Sequence, residues 1–272
     1  MRSSAIAPVL RGLSRVAGNR SVQSFLENCV LAAQYLQGIG AGADVSASGE
    51  RAVLATLLTR APVSAESLCI FDVGANTGQF LTLACQTLEG HRFHVYSFEP
   101  SSSTFKQLEE TARKYRDVTV NNFALGQEQG ERTLFSNAAG SGLASFSKRR
   151  LAHFGIDMDL SETVKVETLD GYCAAHAIGQ IDLLKLDVEG HELAVLNGAT
   201  NMFRASRIGM VTFEFGGCNI DSRTFVQDFF YFFRDHGMKI ARITPSGFCH
   251  KLSSYREILE QFRTTNFVCF HP

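Results

Sequence analysis

The densest cluster of ionisable side chains is Asp182-Leu183-Leu184-Lys185-Leu186-Asp187-Val188-Glu189-Gly190-His191-Glu192. Asp187, Glu189, His191 and Glu192 fall within six positions, directly after an apolar run. So many charges at one strand end are costly unless they are solvated, paired or bound to a ligand. His191 titrates near working pH and is a candidate general base. Asp187 could orient it, face a bound cofactor or ligate a metal. Lys185 lies inside the apolar run and needs a carboxylate partner or a path to water. Helix capping accounts for one of Glu189 and Glu192, but not for all four groups. Glu214, followed by Gly216-Gly217, should approach Asp187 across a sheet. Asp187 and Glu214 could then hold Mg²⁺; the simpler expectation for Glu214 is a charge pair with Lys185 or an arginine.

A second group surrounds Asp72-Val73-Gly74-Ala75-Asn76-Thr77-Gly78, where an apolar run gives way to a helical pattern. Gly74 and Gly78 remove side chains where a ligand would approach the backbone, and the following helix offers free N–H groups. The spacing is G-x-x-x-G, not the dinucleotide fingerprint G-x-G-x-x-G. Asp72 would repel a pyrophosphate and suits a cationic ligand, such as an ammonium or sulfonium compound. Glu99 lies 21 positions beyond Gly78 (99 − 78) at the end of the next strand. An acid there can accept hydrogen bonds from both hydroxyls of a ribose. In this arrangement Asn122–Gly126 borders the base, with backbone at Phe123 or Ala124 reading its edge.

These residues need strand ends to stand on. Apolar runs at 68–73, 94–98, 118–123, 181–186 and 208–215 read as strands. Helical segments at 79–88, 103–114 and 192–196 alternate with them, which argues for a parallel sheet covered on both faces. Phe225–Arg234 reads as a Phe-rich core helix, with 239–243 and 266–270 as late strands. Residues 126–170 break the alternation and read as an antiparallel insertion with strands at 132–135, 143–146 and 163–167. Lys148-Arg149-Arg150 within it reads as a solvated turn, with contact to an anionic substrate as the alternative. Upstream, residues 22–37 place Val22, Phe25, Leu26, Cys29, Val30 and Ala33 at helical spacing. Residues 50–60 form a second helix stopped by Pro62. The expected organisation is a helical extension over 1–65 packed on a main domain over 66–272.

The chain has 272 residues, 26 Lys and Arg against 27 Asp and Glu, and no global basic field that would favour nucleic acid. Its seven cysteines are odd in number and share no C-x-x-C spacing, which speaks against a disulfide framework or zinc knuckle. No apolar run reaches the ~18 residues of a transmembrane helix. A cytoplasmic location is expected. Residues 1–26, with four arginines and no acid before Glu27, leave organellar targeting open.

The chain resembles the FkbM family of S-adenosylmethionine-dependent methyltransferases. The carrying segments are Asp72–Gly78, Glu99-Pro100, Ala124-Leu125-Gly126, Thr168-Leu169-Asp170 and Lys185–Glu192, in the family's order. The resemblance implies a class I methyltransferase fold, an α/β architecture with a seven-stranded, mostly parallel sheet whose last strand is antiparallel. It implies methyl transfer from S-adenosylmethionine to a hydroxyl of a sugar or natural-product-like small molecule. Gly74, Asn76 and Gly78 would line the methionine end of the cofactor, Asp72 would lie near its amino group, and Glu99 would hold the ribose. His191 and Asp187 as catalytic groups are inferred from the residues themselves. Two rivals stand beside this reading. A nicotinamide-dependent oxidoreductase fits Glu99 but neither the glycine spacing nor Asp72. A non-catalytic scaffold would fit an exposed Phe stripe on the 225–233 helix.

Overall fold

The structure, a computed structural model, describes residues 14, 17–42, 49–60 and 67–272. The stop at Pro62 and most of the targeting segment 1–26 lie outside those residues. In chain order the elements begin with α1 (Arg20–Leu36), α2 (Glu50–Arg60), β1 (Leu68–Val73), α3 (Gln79–Thr87), β2 (Phe93–Phe98), α4 (Ser102–Ala112) and β3 (Val118–Asn121). The inserted part comprises β4 (Ala124–Gly126), β5 (Gly130–Ser136) and β6 (Leu160–Thr168), followed by α5 (Leu169–Ala175). The chain continues through β7 (Ile181–Leu186), α6 (Glu192–Asn197), α7 (Thr200–Arg204), β8 (Ile208–Phe215), α8 (Cys218–Ser222) and α9 (Val226–Asp235). It closes with β9 (Lys239–Ile243), β10 (Cys249–Lys251) and β11 (Thr265–Phe270).

The main sheet has eight strands in the order β10-β9-β11-β8-β7-β1-β2-β3. Strands β3, β2, β1, β7 and β8 are mutually parallel, and β11 runs antiparallel between β8 and β9. This is the α/β architecture of the class I methyltransferases. The eighth strand, β10, is the departure from the expected seven: a short antiparallel return on β9. The chain builds outward from β1 to β3, then crosses back to lay β7 on the other side of β1. The strand order therefore reverses at β1, and a crevice opens beyond the carboxyl ends of β1 and β7, where ligands bind in such sheets.

Alternate residues of the central strands feed two cores. Phe71, Phe98, Phe213 and Phe229 lie in one; Leu54, Ile70, Leu81 and Met210 lie in the other. α9 buries Val226, Phe229, Phe230 and Phe233, so the Phe-rich segment is a core helix and the exposed stripe that a scaffold reading needs is absent from its inner face. α2 enters the second core through Val53, Leu54 and Leu57. α1 behaves otherwise: no residue of it is buried, and Phe25 stays 65% exposed. Its apolar spacing is that of a core helix, but its body contacts are polar. Gln34 accepts from Arg263 and donates to Gln261, and Gln37 at its end accepts from Arg242.

The insertion is a separate three-stranded sheet, β4-β6-β5, with β5 and β6 antiparallel. The expected strand at 143–146 is not formed; only Ser145 bridges to Phe135. All seven cysteines are free thiols.

Candidate active site

The first turn of the crevice is tied down by backbone. Asp187 N–H donates to the Val73 carbonyl, and the Gly74 and Ala75 N–H groups both donate to the Phe98 carbonyl. Gly74 sits at φ +81°, and a Cβ there would lie 1.8 Å from the Asp187 carbonyl oxygen. Its missing side chain thus admits the β7 loop, a second requirement for glycine beside its place on a cavity wall. Gly78 is likewise filled by protein: Thr111 and Leu108 of α4 occupy the space its Cβ would need.

Two adjoining cavities lie on this turn. The narrower one is lined by Gly74, Asn76, Phe98, Glu99, Ala124 and Leu125, with Ser141, Gly142, Ala144 and Phe146 of the insertion completing its wall. The wider one, of about 360 Å³, is lined by Lys185, Thr212, Glu214, Arg149 and Gly42 among others. Asp187, Glu189 and Gly142 line both.

Glu99 anchors the narrower cavity. Its Oε1 accepts the Ser101 N–H at 2.9 Å and its Oε2 the Asn76 N–H at 3.0 Å. Each oxygen keeps a second lone pair, the requirement for gripping two hydroxyls. Asn76 accepts φ +48° to supply that N–H, and its buried Oδ1 has no hydrogen-bond partner. Burial pushes the Glu99 carboxyl up to about 7, against the two N–H donors that favour its charged form.

Asp72 does not line either cavity. It is fully buried, and Lys185 Nζ lies 3.2 Å from its Oδ1 and 3.4 Å from Asp187 Oδ2. Its charge is therefore spent on Lys185, and the expected contact with a cationic ligand gives way to an internal chain Asp72–Lys185–Asp187. Burial pulls the Lys185 ammonium down, but the two carboxylates reverse this and hold it above its ordinary value.

The wider cavity carries three acids. Ligand atoms of Asp187, Glu189 and Glu214 lie within 4.8 Å of one another. Lys185 is engaged by Asp72 and Asp187, and among the described residues neither it nor an arginine forms the charge pair expected for Glu214. Burial first, then Asp187, Glu189 and Glu192, raise the Glu214 carboxyl well above its usual range. Glu189 is held by Arg149, whose Nη1 reaches its Oε2 at 2.5 Å and whose Nε lies 3.8 Å from Asp221. Arg149 was legible only as part of a basic run; it is a nearly buried internal ion-pair partner rather than a solvated turn. Ser145 Oγ donates to the Glu189 carbonyl at 2.7 Å, a second tie between insertion and loop. Glu192 holds that loop from within: its Oε1 accepts the N–H groups of Val188 and Gly190.

His191 lines the narrower cavity and a further one bordered by Arg132 and Asn197, but not the wider acidic cavity. Its ring meets Phe146 edge-on, 4.8 Å between centroids, beside Gly126. Burial, with the Arg132 charge adding, lowers it to about 4, and its Nε2 is buried without a partner. A general base needs access and proton affinity near working pH. Its lowered proton affinity and its distance from the acidic cavity favour Asp187 over His191 for that role. The Phe123 ring packs on Phe98 and Tyr172, while Ala124 of the same segment lines the narrower cavity.

Residues 72–240 match the family described as Methyltransferase FkbM domain. The chain belongs to the FkbM methyltransferase family. Among curated relatives, it is 28% identical over 171 residues to the hexuronic acid methyltransferase AglP of Haloferax volcanii, across 62% of this chain and 64% of the relative. It is 33% identical over 153 residues to the 31-O-demethyl-FK506 methyltransferase FkbM of Streptomyces tacrolimicus, across 47% of this chain and 58% of the relative. The chain thus spans about three fifths of the length of these relatives. A solved FkbM methyltransferase from Methylobacillus flagellatus KT aligns at TM-score 0.47 and 17% identity, over 79% of this chain and 47% of that one.

The FkbM segments divide by what they do here. Glu99, Ala124-Leu125 and Asp187-Val188-Glu189 face the crevice. Thr168-Leu169-Asp170 is architectural: Thr168 caps α5 by accepting the Gly171 N–H, and the Asp170 carboxylate accepts the N–H groups of Asn201 and Met202 in α7. Such a cap is worth about 1 kcal/mol.

Proposed function

We propose that this FkbM-family protein is an S-adenosylmethionine-dependent methyltransferase acting on a hydroxyl oxygen of a small molecule, a sugar or natural product. The observation that carries the reading is the shared wall: Asp187 and Glu189 line both the cavity that contains Glu99 and the larger acidic cavity. A donor in one and an acceptor in the other would meet at Asp187.

The residues present fit the cofactor. Glu99 offers a free lone pair on each oxygen for the two ribose hydroxyls. Phe98, Ala124, Leu125 and Phe146 give the base an apolar slot. Asn76 Oδ1, buried and unpartnered, offers an acceptor to the amino end. When bound, the cofactor would supply an electrophilic sulfonium methyl for the acceptor oxygen, with the thioether as the leaving group. The protein must align the acceptor, exclude water and take one proton. Asp187 stands at the junction of the two cavities and is the group assigned to take the hydroxyl proton. Glu214, whose carboxyl is raised by burial and its acidic neighbours, faces the same cavity and is placed to hydrogen-bond a second acceptor oxygen. The names of two relatives, a hexuronic acid methyltransferase and a 31-O-demethyl-FK506 methyltransferase, support an oxygen acceptor on a small molecule. A cavity of about 360 Å³ suits a sugar ring or one face of a larger molecule.

The acid trio is not counted here as a metal centre. Hard oxygen donors suit Mg²⁺, but Asp187 is already matched by Lys185 and Glu189 by Arg149. That leaves Glu214 as the acid of the trio with no ion-pair partner among the described residues. EDTA is accordingly expected to leave turnover unchanged.

The direct test supplies methyl-labelled S-adenosylmethionine with a panel of sugars and polyols. Label appearing on an acceptor oxygen supports the reading; a folded protein that binds the cofactor but transfers label only to nitrogen or carbon contradicts it. Two outcomes follow from geometry. Glu99→Ala should weaken the cofactor by about 1–3 kcal/mol, measured by calorimetry. Because the free protein holds a proton on Glu99 up to pH about 7 and only the charged form grips both hydroxyls, affinity should rise with pH and level off above 7. It should be about tenfold weaker at pH 6 than at pH 8. His191→Ala should raise the cofactor Kd and leave kcat at saturating cofactor within about threefold. A large loss of kcat at saturation would restore His191 to the chemistry.

A further inference from the structure

A third cavity, of about 540 Å³, lies apart from the crevice, between the C-terminal half of α1 and the segment that follows β9. Residues 37–42 separate the two: Gln37 and Ile39 line this groove, while Gly42 lines the acidic cavity. The groove has the opposite electrostatic character. Arg242, His250 and Arg256 line it, and none of its lining residues is an acid. Arg242 and His250 are direct cross-strand partners on antiparallel β9 and β10, so their side chains stand on the same face.

Arg242 is the decisive residue. It is only 8% exposed, yet no carboxylate pairs with it among the described residues. Its Nη2 donates to Gln37 Oε1 at 3.0 Å, and its Nε is buried with no partner. Buried arginines are ordinarily paired, because an uncompensated guanidinium in low dielectric is expensive. The planar fork is also the side chain best suited to an oxyanion held through two parallel hydrogen bonds. Ser253 and Ser254 add hydroxyl donors on the same wall.

We infer that this groove is a second ligand site that takes a phosphate monoester or similar tetrahedral oxyanion, gripped by Arg242 and flanked by His250 and Arg256. Val30 and Ile258, both largely exposed, give its rim an apolar edge. The same phosphate chemistry could come from a soluble ester or from a lipid headgroup, and the experiment separates these sources.

The intact chain is titrated by calorimetry with inorganic phosphate and with glycerol 3-phosphate at fixed ionic strength, without cofactor. In parallel it is sedimented with phosphatidylcholine vesicles with and without phosphatidic acid. Saturable binding of a soluble phosphate, weakened at least about tenfold by Arg242→Gln and about threefold by the exposed Arg256→Ala, supports the site and a soluble source. Binding confined to vesicles that contain phosphatidic acid, with the same ranking of variants, supports the site and a lipid source. Wild-type protein that ignores every phosphate probe overturns the inference, as does binding that neither variant weakens. Arg256→Ala keeps the test decisive if Arg242→Gln fails to fold. The outcome is independent of the methyltransferase reading, since no cofactor or acceptor is present.

Discussion

Asp187→Asn is expected to lower kcat by about 10²–10⁴-fold, the range of a lost general base, while the Kd of S-adenosylhomocysteine changes by less than about tenfold. The asparagine keeps the volume and one acceptor oxygen but cannot take a proton. The effect should fall on turnover because Asp187 stands where the two cavities meet, with Glu189 and Gly142 as their other shared lining. Its orientation is fixed from behind by Lys185 and from the backbone by its N–H bond to Val73. Stopped-flow or steady-state assay with saturating cofactor separates turnover from binding. A kcat within threefold of wild type would move the proton transfer elsewhere, to Glu214 first.

Lys185→Met should be the most destabilising single change at the site, by about 3–5 kcal/mol at pH 7, the cost of stripping one partner from a buried ion pair. Asp72 is fully buried and Lys185 is its only ion-pair partner among the described residues. The sign with pH follows. Without the ammonium, Asp72 in the folded variant holds its proton above the ordinary carboxyl value, while the unfolded chain loses it near 3.8. Between those values the folded state binds more protons than the unfolded state, so stability falls as pH rises. The deficit relative to wild type should therefore be small near pH 4 and largest near neutrality. Adding Asp72→Asn should recover part of it, because a neutral pair no longer leaves a charge buried. Urea unfolding at two pH values reads both effects. A deficit independent of pH would mean that packing, not charge, is what Lys185 supplies.

What the sequence made legible was location along the chain more than role. Apolar runs and their spacing placed the five parallel strands, and with them Glu99, Asp187 and Glu214 near strand ends on one side of the sheet. Depth was not legible. Asp72 reads as a ligand-facing acid because it precedes a glycine turn, but being one position inside the strand puts it wholly in the core, where Lys185 answers it. The same limit applied to Gly74 and Gly78, whose small size is needed by protein neighbours far along the chain, Asp187 for the first and Leu108 and Thr111 for the second. Their requirement depends on register between elements, not on the turn itself. His191 looked like a base by residue type, and the packing of Phe146 from the insertion against its ring could not be read from the sequence. Arg149 was hidden by its setting, a basic tripeptide of which one member turns inward to Glu189 and Asp221. The apolar stripe of α1 has core periodicity and yet lies exposed, since period alone does not say whether a partner surface is supplied within the chain.

The shared wall at Asp187 presupposes that the Glu99 cavity takes the adenosyl group, and calorimetry with S-adenosylhomocysteine, using NAD as a control, tests this most directly. The account predicts one site per chain with micromolar or tighter affinity, corresponding to about −8 kcal/mol, weakened in Glu99→Ala, with no heat from NAD. A folded protein that binds NAD, or that binds neither compound, would contradict it.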